Sequence, residues 1–227
     1  MTTFDTDPFR ASCHDAVGGA PEVLGPWQLN LLVGLGLQRD ASLLDLGCGT
    51  LRGGLHFIRY LEHGRYHGAD VAPDLLESGA RLVSLAALEE KQPNIMSVAA
   101  LDARSLLVDW VLTQSVLNHL DENGVLTTVQ RAARALRPGG RWVSTVIFDK
   151  GVERVCPGAA HGRRTGEFWR SLTNPEWLKE VLDDSGLSMI ILPEAAHPRG
   201  QDVFLATRLP SGSDRISSPT ETERCGS

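Results

Sequence analysis

The sequence lacks any apolar run that approaches the roughly 20 residues of a membrane-spanning helix. Its first ten residues are polar and acidic, and they contain no apolar segment of the kind found in secretory signal peptides. We therefore expect no membrane partner and a cytoplasmic location.

Cysteine is scarce and scattered. The four cysteines, Cys13, Cys48, Cys156 and Cys225, include no C-x-x-C pair. This spacing indicates neither a zinc site nor a disulfide framework. The acidic and histidine residues also lack the spacing of a metal-ligand cluster, so we expect no metal.

An excess of positive charge is missing as well. The chain has 22 Lys and Arg residues against 28 Asp and Glu residues, a formal net charge of −6. Such a chain has no overall attraction for a phosphate backbone, so we expect no nucleic-acid partner. Its length of 227 residues suits a single domain with a full core.

The most informative stretch is a short apolar run that ends at glycines. Residues 43–46, interrupted only by Asp45, predict a buried strand. Gly47 and Gly49 allow a sharp turn, and without a Cβ they let a ligand lie against the main chain. Helix-compatible sequence follows at residues 52–60, so the loop leads into a helix N-terminus whose amides can face a ligand.

The spacing of these glycines disfavours NAD. A dinucleotide-binding loop has the pattern G-x-G-x-x-G, whereas this chain has Arg52 at the third glycine and Gly53 one residue late. A second acid, Asp70, ends the next predicted strand at residues 65–71, about twenty residues further on. There an acid can hold ribose hydroxyls.

The run from Leu44 to Thr50, Leu-Asp-Leu-Gly-Cys-Gly-Thr, resembles the first motif of class I S-adenosylmethionine-dependent methyltransferases. A preceding Val-Gly-Gly at residues 17–19, Gln28, and the pattern Gly-Cys-Gly-x-Leu-Arg-x-Gly are similar to a bacterial subgroup of that family. The resemblance extends from about Val17 to Arg208. It implies an α/β, Rossmann-like, doubly wound seven-stranded sheet of order 3-2-1-4-5-7-6 with strand seven antiparallel.

The alternation of apolar patterns agrees with that class of fold. We expect a loose N-terminal arm at residues 1–20, a methyltransferase domain at residues 21–208 and a disordered tail at residues 209–227. The segment 149–173 is long and rich in glycine, arginine and histidine, which is typical of a lid or binding loop.

The resemblance implies S-adenosyl-L-methionine as the cofactor. In this interpretation Asp70 holds the ribose, Val71 packs on the adenine and Asp102 binds the adenine amino group. Two alternatives stay open. Asp102 could be a solvated loop residue. Arg52 could reach the cofactor carboxylate, or it could be an exposed residue in the first turn of the helix. The implied cofactor residues are Asp45, Gly47, Cys48, Gly49, Arg52, Asp70, Val71, Asp102, Ala103 and Gln114.

Two sequence features that are missing from this chain restrict the class of methyl acceptor. The chain has no Asp/Asn-Pro-Pro-aromatic tetrapeptide, which in related enzymes binds a planar amino group, and no aspartate at the end of the fourth strand, where metal-dependent catechol-type enzymes keep a magnesium ligand. The expected acceptor is a small molecule of secondary or glycan metabolism. A protein or nucleic-acid methyltransferase and a non-catalytic cofactor-binding scaffold are the alternatives. The sequence does not predict the oligomeric state.

Histidines and arginines supply the candidate acceptor site. His119 and His197 are the candidate proton acceptors, needed only if the acceptor must lose a proton; a packed histidine at a helix start is the alternative for His119. Arg163 and Arg164 could meet an acidic acceptor, or could simply be exposed. The turn at residues 196–201 is either part of the site or an ordinary solvated hairpin. The remaining candidates for acceptor contacts are Arg199, Gln201, His161 and Trp169.

Overall fold

The computed structural model describes residues 8–161 and 169–210. In these ranges no helix is both long enough and apolar enough to cross a membrane. The helices are α1 (Pro8–Ala16), α2 (Pro21–Gly34), α3 (Gly54–Tyr60), α4 (Pro73–Leu85), α5 (Val98–Asp102), α6 (Glu122–Ala135) and α7 (Pro175–Asp184). The strands are β1 (Leu43–Leu46), β2 (Tyr66–Asp70), β3 (Asn94–Ser97), β4 (Val108–Thr113), β5 (Leu136–Val146), β6 (Val155–His161), β7 (Trp169–Thr173), β8 (Leu187–Ile191) and β9 (Asp202–Arg208).

Seven of these strands form one sheet in the order β3-β2-β1-β4-β5-β9-β8. β9 runs antiparallel to both of its neighbours, whereas the other neighbouring pairs are parallel. The predicted α/β fold, with its strand order and its antiparallel seventh strand, is confirmed.

Helices cover both faces of the sheet, so the parallel strands are buried on both sides. Successive side chains of a strand point to opposite faces. Leu44 of β1 and Val111 of β4 accordingly belong to an apolar cluster with α6 and α7, in which Trp142 and Phe204 are fully buried. Leu43 belongs to a second cluster, which packs α2, α3 and α4 on the other face.

Local sequence signals set several element boundaries. Asp121 caps α6, because its carboxylate accepts a hydrogen bond from the Gly124 N–H at 2.8 Å. Asn174 caps α7 in the same way, with the Trp177 N–H at 2.9 Å. β5 begins at Leu136 and pairs there with Val108 across an irregular register.

The N-terminal arm is more ordered than the sequence predicts. Residues 8–16 form α1, and the Arg81 side chain lies 3.9 Å from the centre of the Phe9 ring. The Thr50 hydroxyl donates a hydrogen bond to the Cys13 carbonyl at 3.0 Å. The arm is thus held largely through its backbone carbonyls, and a pattern of apolar residues does not reveal such contacts.

The segment 149–173 is not the loop that the sequence predicts. It contains β6 and β7, which pair antiparallel. β7 is joined to the end of β5, since the Thr173 N–H donates to the Ile147 carbonyl at 2.9 Å and the Asp149 N–H donates to the Thr173 carbonyl at 3.0 Å. Arg163 and Arg164, and the expected tail from residue 211 onward, lie outside the described residues.

Candidate functional site

A cavity of about 1490 Å³ opens at the carboxyl ends of the parallel strands. Loops at this edge of an α/β sheet are where ligands bind in such folds. The arm, the loop after β1, the ends of β2 and β4, α6, β7 and the turn before β9 all contribute to it. The predicted site residues that line it are Asp45, Gly47, Cys48, Gly49, Arg52, Asp70, Val71, Gln114, His119, Arg199 and Gln201.

The loop after β1 forms a closely packed part of the cavity wall. The Gly47 and Cys48 N–H groups both donate to the Ala69 carbonyl of β2, at 2.7 and 3.2 Å. Gly47 has a φ of 86°, and a Cβ at this position would overlap the Val116 Cγ2 atom. The turn therefore requires glycine here both for its backbone angle and for space.

Asp70 is fixed at the end of β2 beside this loop. Its carboxylate accepts the Gly49 N–H at 2.9 Å and the Ala72 N–H at 3.0 Å. The next residue, Val71, lines the cavity although its side chain is 78% exposed. A held carboxylate next to an exposed apolar side chain suits a ligand with hydroxyl groups joined to a flat apolar ring.

Asp45 lies below the loop and is buried. The Tyr66 hydroxyl donates to its carboxylate at 2.7 Å. Burial raises the pKa of Asp45 to about 7. Burial also raises the pKa of the Cys48 thiol, so Cys48 is a packing residue of the loop and not a nucleophile.

Arg52 joins the loop to the arm. Its Nη1 atom donates to the carbonyls of Val17 at 2.7 Å and Gly19 at 2.9 Å. Burial, and then the Arg199 guanidinium, lower the pKa of Arg52 to about 10. The alternative of an exposed first-turn position for Arg52 is wrong, because the side chain is buried against the arm.

A polar network joins the end of β4 to the turn before β9. The Ser115 hydroxyl lies 3.0 Å from Gln201 Oε1 and 3.0 Å from Gln114 Nε2. Ser115 has a φ of 59°, which is uncommon for a residue other than glycine, and its N–H donates to the Thr145 hydroxyl at 2.7 Å. Strained backbone of this kind is concentrated at functional sites. Ser115 is not among the predicted site residues, because no local sequence pattern marks it.

The role expected for His197 as a proton acceptor needs correction. The imidazole is buried beneath the turn, packs edge-on against Trp27, and is not among the residues that line the cavity. Its Nδ1 atom accepts the Arg199 N–H at 3.1 Å and the Gln201 N–H at 3.4 Å. Burial, followed by the charges of Arg199, Arg170 and Arg52, lowers the pKa of His197 to about 4.

The proton of His197 is therefore on Nε2, because Nδ1 accepts two backbone N–H groups. The Gln114 side-chain amide lies 2.9 Å from Nε2. This contact is satisfied when the amide presents its oxygen to the ring, and that oxygen then also lies beside the Ser115 hydroxyl in place of Gln114 Nε2. His197 thus positions Gln114 and the turn that carries Arg199 and Gln201.

His119 does line the cavity. It ends a short 3-10 turn, Leu117–His119, and its side chain is exposed. The preceding Asn118 is buried, and neither polar atom of its side-chain amide has a hydrogen-bond partner among the residues that the structure describes. His119 is consequently the predicted proton acceptor that the fold brings to the cavity.

Asp102 and Ala103 are not part of the cavity wall. Residues 98–102 form α5 after β3, which carries Asp102 about one helical turn away from the strand end. Its carboxylate there accepts bonds from Arg131 at 2.9 and 3.1 Å and from Arg134 at 3.1 Å. The Arg131 guanidinium lowers the pKa of Asp102. The expected adenine contact by Asp102 is therefore wrong.

Two predicted acceptor residues, His161 and Trp169, lie in the hairpin of β6 and β7. The backbones of His161 and Trp169 pair across β6 and β7, but their side chains lie outside the described part of the chain. Among the described residues of this hairpin, Arg170 lines the cavity. It was not among the predicted site residues, although the arginine content of the segment was a signal.

In residues 8–161 and 169–210 the structure contains no group of three or more His, Cys, Asp or Glu side chains that could hold a metal ion.

The loop after β1, the acid that ends β2 and the strand order are the features by which this architecture can be compared with known proteins. Residues 44–142 match the model of the methyltransferase domain family. That match covers β1 to β5 and therefore includes the Gly47–Gly49 loop, Asp70 and Gln114.

Solved methyltransferase structures share the fold at low sequence identity. The chain is 15% identical to an amino pentose methyltransferase from Micromonospora echinaspora, with 92% of this chain and 97% of that chain covered and a TM-score of 0.63. A glycopeptide N-methyltransferase is also 15% identical, with coverages of 82% and 94% and a TM-score of 0.63. Magnesium protoporphyrin IX methyltransferase from Synechocystis PCC 6803 is 15% identical, with coverages of 81% and 80% and a TM-score of 0.59. The chain thus has a Rossmann-like methyltransferase fold.

Proposed function

We propose that the protein is an S-adenosylmethionine-dependent methyltransferase that acts on a small molecule. The observation that carries the proposal is the geometry of one wall of the cavity, where the Gly47–Gly49 turn faces the fixed carboxylate of Asp70. The match of residues 44–142 to the methyltransferase domain family supports it.

The residues present fit S-adenosylmethionine. The Gly47–Gly49 backbone, open because Cβ atoms are absent, would take the amino-acid part of the cofactor. Asp70 would accept the ribose hydroxyls, and the exposed Val71 would cover the adenine. When bound, the cofactor supplies a sulfonium methyl group that is already activated for transfer.

The protein's remaining task is to position the nucleophile of the acceptor. Holding two reactants in line can contribute roughly 7–11 kcal/mol to lowering a barrier. Ser115, Gln201 and Arg199 line the acceptor side of the cavity in a fixed network. His119 would accept the proton of an acceptor that must lose one, while His197 keeps the turn in place.

The size of the cavity favours two ligands. Typical sites for a single small molecule measure about 300–1,000 Å³, whereas this cavity measures about 1490 Å³. It can therefore hold the cofactor together with a small acceptor. The structural relatives named above are described as methyltransferases of a porphyrin, a glycopeptide and an amino pentose, with S-adenosylmethionine bound in each. These relatives support the cofactor and a small-molecule acceptor.

Isothermal titration calorimetry with S-adenosylhomocysteine and S-adenosylmethionine tests the proposal, with NAD as the control ligand. We expect saturable one-site binding of both methionine-derived ligands and no heat from NAD. Transfer of a labelled methyl group to acceptors should follow in the same preparations. A protein that binds neither methionine-derived ligand would contradict the proposal.

A further inference from the structure

Three arginines line the cavity without an ion-pair partner in the described ranges. Arg52, Arg170 and Arg199 come from the loop after β1, from β7 and from the turn before β9. The fourth arginine of the cavity, Arg131, is already paired with Asp102 at 2.9 Å. Within the described ranges, none of these three guanidiniums therefore forms an ion pair with a carboxylate.

Arg199 is held at the cavity by neutral partners. Its Nη2 atom donates to the Gly18 carbonyl and, at 3.4 Å, to the Gly19 carbonyl. Burial and the nearby Arg170 guanidinium lower the pKa of Arg199. Carbonyl oxygens orient the guanidinium but leave its charge uncompensated, so an anion would be bound strongly here.

Arg170 is held by its strand and not by its own side chain. The Ser171 hydroxyl donates to the Leu120 carbonyl at 2.7 Å, and Thr173 bonds to the end of β5. The guanidinium of Arg170 makes no hydrogen bond or ion pair to any residue in the described ranges. Its donors are therefore available to a ligand in the cavity, which the Arg199 side chain also lines.

Both arginines come from elements on the far side of β1 from Asp70. The sheet order places β5 and β9 on one side of β1, and β2 with Asp70 on the other. β7 is bonded to the end of β5, and the turn with Arg199 leads into β9. The carboxylates of Asp45 and Asp70 also line the cavity, but their hydrogen bonds go to Tyr66 and to loop N–H groups, and neither forms an ion pair with Arg170 or Arg199.

We propose that Arg170 and Arg199 form an anion subsite, and that the methyl acceptor is an acid whose carboxylate, phosphate or sulfate group binds between them. The proposal rests on the proposed function, because it assigns the cofactor to the Asp70 side of the same cavity. Two planar guanidiniums that face one space match the paired oxygens of such a group. The subsite selects the acceptor by charge and fixes its distance from the methyl group.

The test uses the full chain saturated with S-adenosylhomocysteine, so that the cofactor's own carboxylate position is filled. Sodium sulfate is the probe, titrated against sodium chloride at equal ionic strength, and the thermal unfolding midpoint is the readout. We expect Arg170→Met and Arg199→Met each to weaken sulfate binding about tenfold or more, since each removes charge-assisted hydrogen bonds. The matched control is Arg65→Met, an exposed arginine at the opposite end of β2, which should bind sulfate like the wild type.

Arg170→Met is the decisive variant, because it removes no hydrogen bond within the described structure and should fold normally. Sulfate protection equal to that of the wild type in this variant would overturn the proposal. A parallel loss of S-adenosylhomocysteine affinity in both variants would also overturn it, since both arginines would then bind the cofactor carboxylate. If the wild type binds no S-adenosylhomocysteine, the proposed function fails separately. Sulfate protection that depends on Arg170 in the cofactor-free protein would still support the anion subsite.

Discussion

Arg52 and Arg199 donate to the same backbone carbonyl, that of Gly19, at 2.9 and 3.4 Å from their Nη atoms. One arginine belongs to the loop after β1 and the other to the turn before β9, so the arm is held between distant parts of the chain. Residues 16–18 and 20 line the cavity, and the same contacts therefore build part of the ligand site.

The first prediction concerns this attachment of the arm. Arg52→Met removes two hydrogen bonds to carbonyls, and such bonds from a charged group contribute about 1.5–3 kcal/mol each. We expect hydrogen exchange at residues 8–19 to accelerate tenfold or more while exchange in β1 and β4 is unchanged, as measured by mass spectrometry. Arg65→Met is the control. Equal protection of the arm in wild type and variant would show that Arg52 does not hold it.

The second prediction concerns the glycine at the turn after β1. In Gly47→Ala the alanine would have to adopt a left-handed backbone conformation, at a cost of roughly 1–2 kcal/mol. Its Cβ atom would also overlap the Val116 side chain. Overpacking adds about 1–3 kcal/mol. We expect a lower free energy of unfolding in urea and loss of S-adenosylhomocysteine binding.

Two companion variants separate the causes. Adding Val116→Ala to Gly47→Ala should restore part of the stability, because it relieves the overlap but leaves the backbone strain. Gly34→Ala, at the end of α2, is the control, since a Cβ there meets nothing within 4 Å. It should be neutral or slightly stabilising. A Gly47→Ala protein with the wild-type free energy of unfolding and wild-type binding of S-adenosylhomocysteine would contradict the geometry described for the loop.

The third prediction is a pH dependence that comes from His197. The pKa of His197 falls from an ordinary value of 6.5 to about 4 in the folded protein. The folded state therefore binds fewer protons than the unfolded state in this window, and the His197 contribution is fully present above pH 6.5. It is lost as the pH falls from 6.5 to about 4, by an amount on the order of 3 kcal/mol.

The variant His197→Asn isolates this contribution. Its side-chain oxygen can accept the Arg199 and Gln201 N–H groups as Nδ1 does, but it does not titrate. Titration of Asp45 changes the free energy of unfolding in the opposite direction over part of the same pH range. This change is the same in the wild type and in the variant, so it cancels in their difference. We expect the difference in free energy of unfolding between wild type and variant to shrink as the pH is lowered. The control His63→Gln changes an exposed position and should keep the wild-type dependence of the free energy of unfolding on pH. A difference between wild type and His197→Asn that does not change with pH would contradict the assignment to His197.

Much of the architecture could be predicted because short-range patterns determine it. The apolar run ending at Gly47 gave β1 and its loop, and the spacing to Asp70 gave the second acid of the site. These features depend on residues close together in the chain. The capping hydrogen bonds of Asp121 and Asn174 likewise join residues that are close together in the chain.

What the sequence missed depends on contacts between distant residues. Asp102 follows β3 in the chain, but α5 turns it toward Arg131, 29 residues away. The role of His197 is set by its burial against Trp27 and by backbone N–H groups of its own turn. The hairpin of β6 and β7 has a glycine-rich sequence, and its strands are fixed by pairing with each other and with the end of β5.

The most direct test of the central claim compares S-adenosylhomocysteine binding by Asp70→Asn and Asp74→Asn, measured by calorimetry. Asp70→Asn keeps the shape of the side chain but removes the charge that would accept the ribose hydroxyls, whereas Asp74 lies exposed in the first turn of α4. We expect affinity to fall about tenfold or more in Asp70→Asn, the equivalent of about 1.5–3 kcal/mol, and to stay at the wild-type value in Asp74→Asn. Wild-type affinity in Asp70→Asn would contradict the account.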